Sequence, residues 1–391
     1  MKFKIPQADF SKALSIASRS ILLKANLPIL SNLLISVTKK EMTILSTNLE
    51  TATKATTPCK TEVEGKITLP GKTLSEFITQ LPEGEILFEK LGEEAVVSTK
   101  GFKARIPTIA PEEFPAIPRI DKGVEIKLKV KVFAKCVSRV AFSAAQDEGR
   151  PILTGVLCEF GKDRLSMVAT DGYRLSYQEI PVSEAPKGVD IKVVVPARAI
   201  SEVAKILTEN LEDENENLSI VISDNLNQVN FKVGNIEFTS RLIEGEFPNW
   251  QKIIPTSFTT KVKLSKVELA KLVKVASIFA RDSGSIIRLK LENVSGGQGS
   301  TLAVFANAAQ VGSSDAQIET QMAGKGGEIA FNFRYLLEVL SVMDDEVVNF
   351  EMIESLNPGR ITGEDEKDSF FHIIMPVRLQ SWSLKFLISK S

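Results

Sequence analysis

Apolar residues recur along this chain at two different spacings. At helical spacing they define six amphipathic stretches: ADFSKALSIASRS from Ala8, LPGKTLSEFITQL from Leu69, KVFAKCVSRVAFSAA from Lys131, VPARAISEVAKIL from Val195, SKVELAKLVKVASIFAR from Ser265 and AFNFRYLLEVLSV from Ala330. In the third, Phe133, Val137, Val140, Ala141 and Ala144 fall on one face, as in a helix packed on one side. Alternation marks short segments rich in β-branched residues, among them Lys2 to Ile5, Met42 to Ser46, Ile126 to Val130, Leu165 to Ala169, Ile220 to Ile222 and Val262 to Leu264. Gly, Asn and Lys-Asp turns bound them, so they read as strands.

These elements come in a repeated order. Pro28-Ile29-Leu30-Ser31-Asn32-Leu33-Leu34 returns as Pro151-Ile152-Leu153-Thr154-Gly155-Val156-Leu157, and more faintly as Ser285-Ile286-Ile287-Arg288-Leu289-Lys290-Leu291. Each copy has one amphipathic stretch before it and one after. The spacing lies far beyond the roughly 20–50 residues of a solenoid repeat, so a whole domain is copied. Each copy is two helices on antiparallel strands, an α+β domain. The expected domains are 1–121, 122–255 and 256–379, with 380–391 as an extension, and a length of 391 residues accommodates about three domains.

Composition narrows the class. No long apolar run is present, and Met1 opens straight into an alternating strand, so a cytoplasmic chain that neither spans a membrane nor is secreted is expected. Cys59, Cys136 and Cys158 lack CxxC spacing and read as free thiols. The formal net charge of −1 conceals a segregation. The six helical windows hold thirteen basic and five acidic residues, a balance of +8 against −9 for the rest. Helices that are all neutral or positive in a neutral protein favour a polyanion beside them.

Catalytic chemistry is hard to assemble. His372 is the single histidine, so no metal cluster, triad or relay can be assembled from several histidines; in the apolar strand after Phe370-Phe371 it reads as a satisfied core histidine. Gly71-Lys72-Thr73 resembles the end of a phosphate-binding loop, but Gly65 stands one position too far back and Pro70 interrupts it, so a strand-to-helix junction is the better reading. GGQGS from Gly296 reads as a hairpin loop, and Asp344-Asp345 and Glu112-Glu113 as solvated turns or caps. No enzyme, cofactor or metal is expected.

Further motifs carry a specific resemblance. Ala169-Thr170-Asp171-Gly172-Tyr173-Arg174-Leu175 is followed by Phe247-Pro248-Asn249-Trp250 with Ile254-Pro255, then Phe331-Asn332-Phe333-Arg334-Tyr335-Leu336 and Met375-Pro376-Val377-Arg378-Leu379. With the N-terminal Leu27-Pro28-Ile29-Leu30 and the triplicated domain, this order over residues 1 to 379 resembles the bacterial DNA polymerase III beta subunit family, the sliding clamps of DNA replication.

The resemblance implies two three-domain subunits closed head to tail into a homodimeric ring, with helices lining a hole for double-stranded DNA and sheets forming the outer wall. Such a processivity factor must hold DNA yet slide, which basic side chains meeting phosphates without base readout would permit. DNA-facing residues would be Lys12, Arg19, Lys24, Lys135, Arg139, Arg150, Arg198, Lys205, Lys271 and Lys274. A second implied surface is a groove for short peptides of the replicative polymerase, the clamp loader and repair proteins. Its members would be Leu153, Thr170, Gly172, Tyr173, Arg174, Leu175, Pro248, Lys252, Ile253, Asn332, Tyr335, Pro358, Ile373, Met375, Pro376, Val377 and Arg378. Their mix of aliphatic residues and flexible Met suits an adaptable socket.

Two features depart from the family pattern. The acidic cluster that many relatives use across the subunit boundary is reduced to Asp315 and Glu319 within Ala308 to Gln321, so the ring contact is expected to lean on Phe77 and Ile106 facing Ile278 and Phe279. Beyond Leu379 the chain adds QSWSLKFLISKS, in which Trp382, Leu384 and Phe386 alternate like the apolar residues of a clamp-binding peptide, with Ser381 where Gln is usual. The segment is thus a candidate competitor for the groove, against the simpler reading of a loose extension. Two other functions are weighed: a monomeric scaffold that binds peptides but not DNA, and an enzyme built on the Thr170-Asp171 turn.

Overall fold

The computed structural model describes residues 1–22, 27–117, 120, 122–147, 149–210, 216–294, 299–308, 310 and 312–378. Among them are six α-helices: α1 (Gln7–Ala17), α2 (Gly71–Gln80), α3 (Val130–Val140), α4 (Ala197–Asn210), α5 (Lys266–Ala280) and α6 (Phe333–Val342). Every one begins at the residue after a strand ends. Three of these junctions carry Pro6, Pro70 or Pro196 as the last strand residue. Proline has no N–H to give a ladder and its φ is already fixed, so the strand stops there at little cost. At two others a side chain caps the helix. Ser265 Oγ accepts from the Glu268 N–H, and Asn332 Oδ1 from the Arg334 N–H at 3.0 Å.

The strand-to-helix reading of Gly71-Lys72-Thr73 holds, because strand Gly65–Pro70 runs directly into α2. The glycine is needed for packing: a Cβ there would stand 2.3 Å from Ile21 Cδ1 and 2.9 Å from Leu33 Cγ. The repeat marker is a 3-10 turn in two copies, Pro28–Ser31 and Pro151–Thr154, each feeding a strand. In the third copy Ser285 takes its place at φ 60, and strand Ile286–Asn293 follows directly. Without the proline that presets φ, the turn does not form. Asn293 pairs with Ser300 between the strands that flank GGQGS, and residues 295–298 lie outside the described residues.

The chain forms two compact units. The first holds Met1–Val137, Cys158–Leu165 and Pro181–Gly245, and contains a five-stranded and an eight-stranded sheet. In the larger sheet Ile236–Arg241 of the middle repeat pairs antiparallel with Thr51–Pro58 of the first. One core cluster joins Phe3 and Phe88, stacked with centroids 4.9 Å apart, to Phe10 of α1.

The second unit holds Ser138–Leu157, Ser166–Ile180 and the chain from Glu246 on. Its sheet runs in the order Arg174–Pro181, Phe371–Ile374, Gly359–Gly363, Val347–Met352, Thr260–Ser265, Gly312–Gly324, Ser300–Ala308, Ile286–Asn293 and Gly327–Asn332. The elements α5 and α6 pack together and bury Leu269, Val273, Ala276, Leu336 and Val339 against this sheet. Here too a strand of the middle repeat joins a neighbouring copy, since Arg174–Pro181 pairs with Phe371–Ile374. The architecture is the expected α+β class, and the middle repeat is divided between the units.

Candidate partner groove and nucleic-acid interface

The turn that ends strand Arg164–Thr170 is built by its own side chains. Thr170 Oγ1 donates to the Arg174 carbonyl at 2.5 Å and accepts from the Gly172 N–H at 3.1 Å. Asp171 Oδ1 accepts from the N–H groups of Tyr173 and Arg174 at 2.9 and 3.0 Å. Gly172 sits at φ +90, a conformation that costs other residues strain. Thr170 and Asp171 are therefore engaged in holding the backbone of the turn.

The turn pushes Tyr173 into solvent, 66% exposed, and buries Arg174. Arg174 donates from Nε to Asp171 Oδ2 at 3.1 Å and from Nη2 to the Phe142 carbonyl at 2.9 Å, and pairs with Glu338 of α6. Its guanidinium lies over the rings of Tyr335, at 4.6 Å, and Phe142, at 5.3 Å. A buried arginine is tolerable only when its donors are satisfied in this way. Burial, followed by the charge of Asp171, holds the Tyr335 hydroxyl above its usual pKa.

Strand pairing gathers the other predicted groove residues. Arg174 lies opposite Ile374 and Leu175 opposite Ile373, and the Met375 N–H extends the ladder to the Tyr173 carbonyl at 2.8 Å. Gly359 pairs with Ile374, which sets Pro358 beside that strand end. The Val377 N–H reaches the Ala330 carbonyl at 2.8 Å, two residues before Asn332. Leu153, Leu175 and Ile373 are buried; Ile253, Asn332, Tyr335, Pro358, Met375, Pro376 and Val377 are half-buried; Pro248, Lys252 and Arg378 are exposed. Arg150, predicted to face DNA, is exposed with Nη1 3.5 Å from where a Gly172 Cβ would stand.

Sequence reasoning overlooked an aromatic stack around Tyr177. Tyr177 lies 4.8 Å from Phe371 and 5.1 Å from Trp250, centroid to centroid. It fixes the 3-10 turn Trp250–Ile253, and with it Lys252 and Ile253. No local signal reveals contacts between residues this far apart in the chain.

His372 corrects its expectation in part. It is fully buried in strand Phe371–Ile374, with Nδ1 2.7 Å from Ser176 Oγ, yet Nε2 has no partner among the described residues. No disulfide joins Cys59, Cys136 and Cys158 among the described residues, and burial pushes the Cys158 thiol up to about 12.

The basic helix residues divide. Lys12, Lys135, Arg198, Lys205, Lys271 and Lys274 are exposed. Lys24 lies outside the described residues. Arg19 pairs with Glu202 at 2.9 Å and with Glu209, which cancels its charge locally. Arg139 overturns its assignment: 2% exposed, it pairs with Asp368, with Asp344 at 3.4 Å and with Asp345 at 3.9 Å, and sits over the Phe370 ring at 5.3 Å. The helical stripe aims it into the unit. Asp344-Asp345 is accordingly an ion-pair partner as well as a turn. Of the four residues expected at a ring contact, Ile278 is 54% exposed, Phe77 and Phe279 are half-buried, and Ile106, 3% exposed, is a core residue with little surface to offer. No helix of the described residues is long and apolar enough to cross a membrane, and these residues contain no cluster of metal-ligating side chains.

Family models for the N-terminal, central and C-terminal domains of the DNA polymerase III beta subunit match residues 1–118, 127–249 and 251–378. The beta sliding clamp of Streptococcus pneumoniae (strain ATCC BAA-255 / R6) is 30% identical over 389 residues, covering 96% of this chain and 99% of its own. The crystal structure of the beta subunit from Thermotoga maritima superposes with a TM-score of 0.88 at 25% identity, covering 97% of this chain and 100% of that one. A sliding clamp from Pseudomonas aeruginosa, solved bound to griselimycin, gives 0.89 at 26% identity with the same coverage. With every repeat matched by its own domain model and the fold matched over nearly the whole chain, this protein belongs to the DNA polymerase III beta subunit family.

Proposed function

We propose that this chain is a DNA sliding clamp: two copies close head to tail around duplex DNA and tether the replicative polymerase, the clamp loader and repair proteins, without catalysis by the chain itself. The observation that carries the reading is the full-length match of all three domains, joined to exposed cations on helices α1, α4 and α5. Lys12, Arg198, Lys205, Lys271 and Lys274 supply attraction to phosphates that is equal at every register, which a sliding contact requires. Arg139 and Arg19 drop out of that set because acids already hold them.

Two strand edges support closure between copies. Phe102–Pro107 ends the five-stranded sheet, and residues 312–319 pair on one side with Ser300–Ala308 while the pairing with Thr260–Ser265 begins only at Gln321. Unpaired edges are templates for a strand of another chain. Ile278 and Phe279 add apolar area beside the second edge, while Arg105 on the first is already held by Glu94 at 3.1 Å. Partner segments dock on the surface around Tyr173, Met375, Pro376 and Val377.

The test combines mass in solution with retention on nicked circular DNA. A dimer that stays on the circle and is lost when the circle is cut supports the ring. A monomer with no retention would leave the peptide-binding scaffold instead.

A further inference from the structure

The groove turn has a twin in the first unit. Thr47 Oγ1 donates to the Thr51 carbonyl at 2.8 Å and accepts from the Leu49 N–H at 3.0 Å, as Thr170 does for Arg174 and Gly172. Asn48 Oδ1 accepts from the N–H groups of Glu50 and Thr51 at 3.0 and 2.6 Å, as Asp171 does for Tyr173 and Arg174. The neighbouring strand ends match as well. Arg241 donates its N–H to the Glu50 carbonyl at 2.9 Å where Met375 reaches Tyr173, and Ile243 donates to the Val194 carbonyl at 2.8 Å where Val377 reaches Ala330. The junction of the first and middle repeats therefore carries the backbone of a second groove.

The side chains on this frame carry the inference. Leu49 stands where the groove has Gly172, at φ 75 and 53% exposed. Leu226 is at φ 53 and 46% exposed, and the carbonyl of Asn227 after it accepts from the Leu242 N–H at 2.9 Å. Both leucines thus flank one strand end, Arg241-Leu242. They are also two of the three non-glycine residues at positive φ among the described residues. A bulky side chain at positive φ is strained, and one left in water recovers little from burial, so its purpose lies outside the folding of the chain. We propose that this strand end is a second docking site, occupied by a short extended partner segment with a large apolar anchor. The occupant follows from the shared frame. In the groove of the second unit Leu356, 62% exposed, leads into strand Gly359–Gly363 as Leu226 leads into Gln228–Val233. The inference takes its occupant from the groove reading and adds a site on the other unit.

The experiment titrates the full chain with a synthetic peptide of Gln followed by apolar residues at the second, fourth and sixth places, and counts peptides bound per chain by calorimetry. Two are expected. Leu49→Asp with Leu226→Asp should lower the count to one and leave the remaining affinity within about twofold. Leu49→Gly keeps the turn, since glycine takes positive φ without strain, yet should weaken the first-unit event about fivefold. Tyr173→Ala with Met375→Ala should weaken the other event alone. A count that the leucine pair leaves unchanged overturns the second site, and if the Tyr173 pair still lowers binding the groove stands without it. Leucine variants that alter only the mass of the free protein assign the patch to a contact between copies and overturn the proposal too. If neither pair changes binding, the groove reading falls together with the second site.

Discussion

Ser176 and His372 face each other across paired strands, with the serine Oγ 2.7 Å from Nδ1 of the histidine. Ser143 Oγ continues the chain at 2.8 Å, and the Phe142 ring stacks on the imidazole at 5.5 Å. Burial, followed by the nearby charge of Arg174, lowers the His372 pKa from 6.5 to about 3. The folded protein therefore keeps this histidine neutral where the unfolded chain would protonate it. Stability that is complete above pH 6.5 is lost as pH falls towards 3, by an amount on the order of 4 kcal/mol. Urea midpoints between pH 7 and 4 should show this slope, and His372→Gln should flatten it. An unchanged slope in the variant would place the acid sensitivity elsewhere.

Arg139 and Lys274 test the division between buried and exposed helix cations. Arg139→Ala leaves three carboxylates without their shared partner and should cost about 3 kcal/mol of stability. It should leave the salt dependence of DNA binding unchanged. Lys274→Ala should do the reverse, with no change in melting and a salt slope lower by about one unit. Melting curves and binding titrations at several salt concentrations check both.

Gly172 and Gly101 both sit at positive φ, +90 and +83, but only the first belongs to the groove turn. Alanine at either should cost about 1–2 kcal/mol of backbone strain. Gly172→Ala should in addition weaken partner-peptide affinity several-fold, because Tyr173 and Arg174 follow it directly. Peptide titrations of the two variants distinguish turn geometry from general destabilisation.

Ile278 and Phe279 lie at the end of α5, the first largely exposed and the second half-buried. If a second copy buries them, truncating both to Ala should cost about 2–5 kcal/mol of dimer stability and shift the mass towards monomer. Added salt should matter little, since only Asp315 and Glu319 supply acids in the expected contact stretch. Sedimentation of the wild type and the double variant at low and moderate salt measures both effects. A wild-type dimer that dissociates in moderate salt contradicts the apolar contact.

What the sequence determined by itself was local or periodic. Helical and alternating spacing located all six helices and three of the strands that feed them, Lys2–Pro6, Gly123–Lys129 and Thr260–Ser265, because each pattern reports which face of an element is buried. The repeat of Pro-Ile-Leu followed by Ser or Thr revealed the copied domain, and the ordered motifs from Thr170 to Arg378 revealed the family. Only the tertiary structure decided which charges are available. Lys274 and Arg139 are equivalent as helix cations, yet the helix stripe exposes one and seals the other among Asp344, Asp345 and Asp368. It also decided that Ile106 is core, that one nitrogen of His372 has no partner among the described residues, and that Trp250 leans on Tyr177. Each of these depends on which residues the strand pairing brings together from distant parts of the chain, and no spacing along one segment encodes that partner.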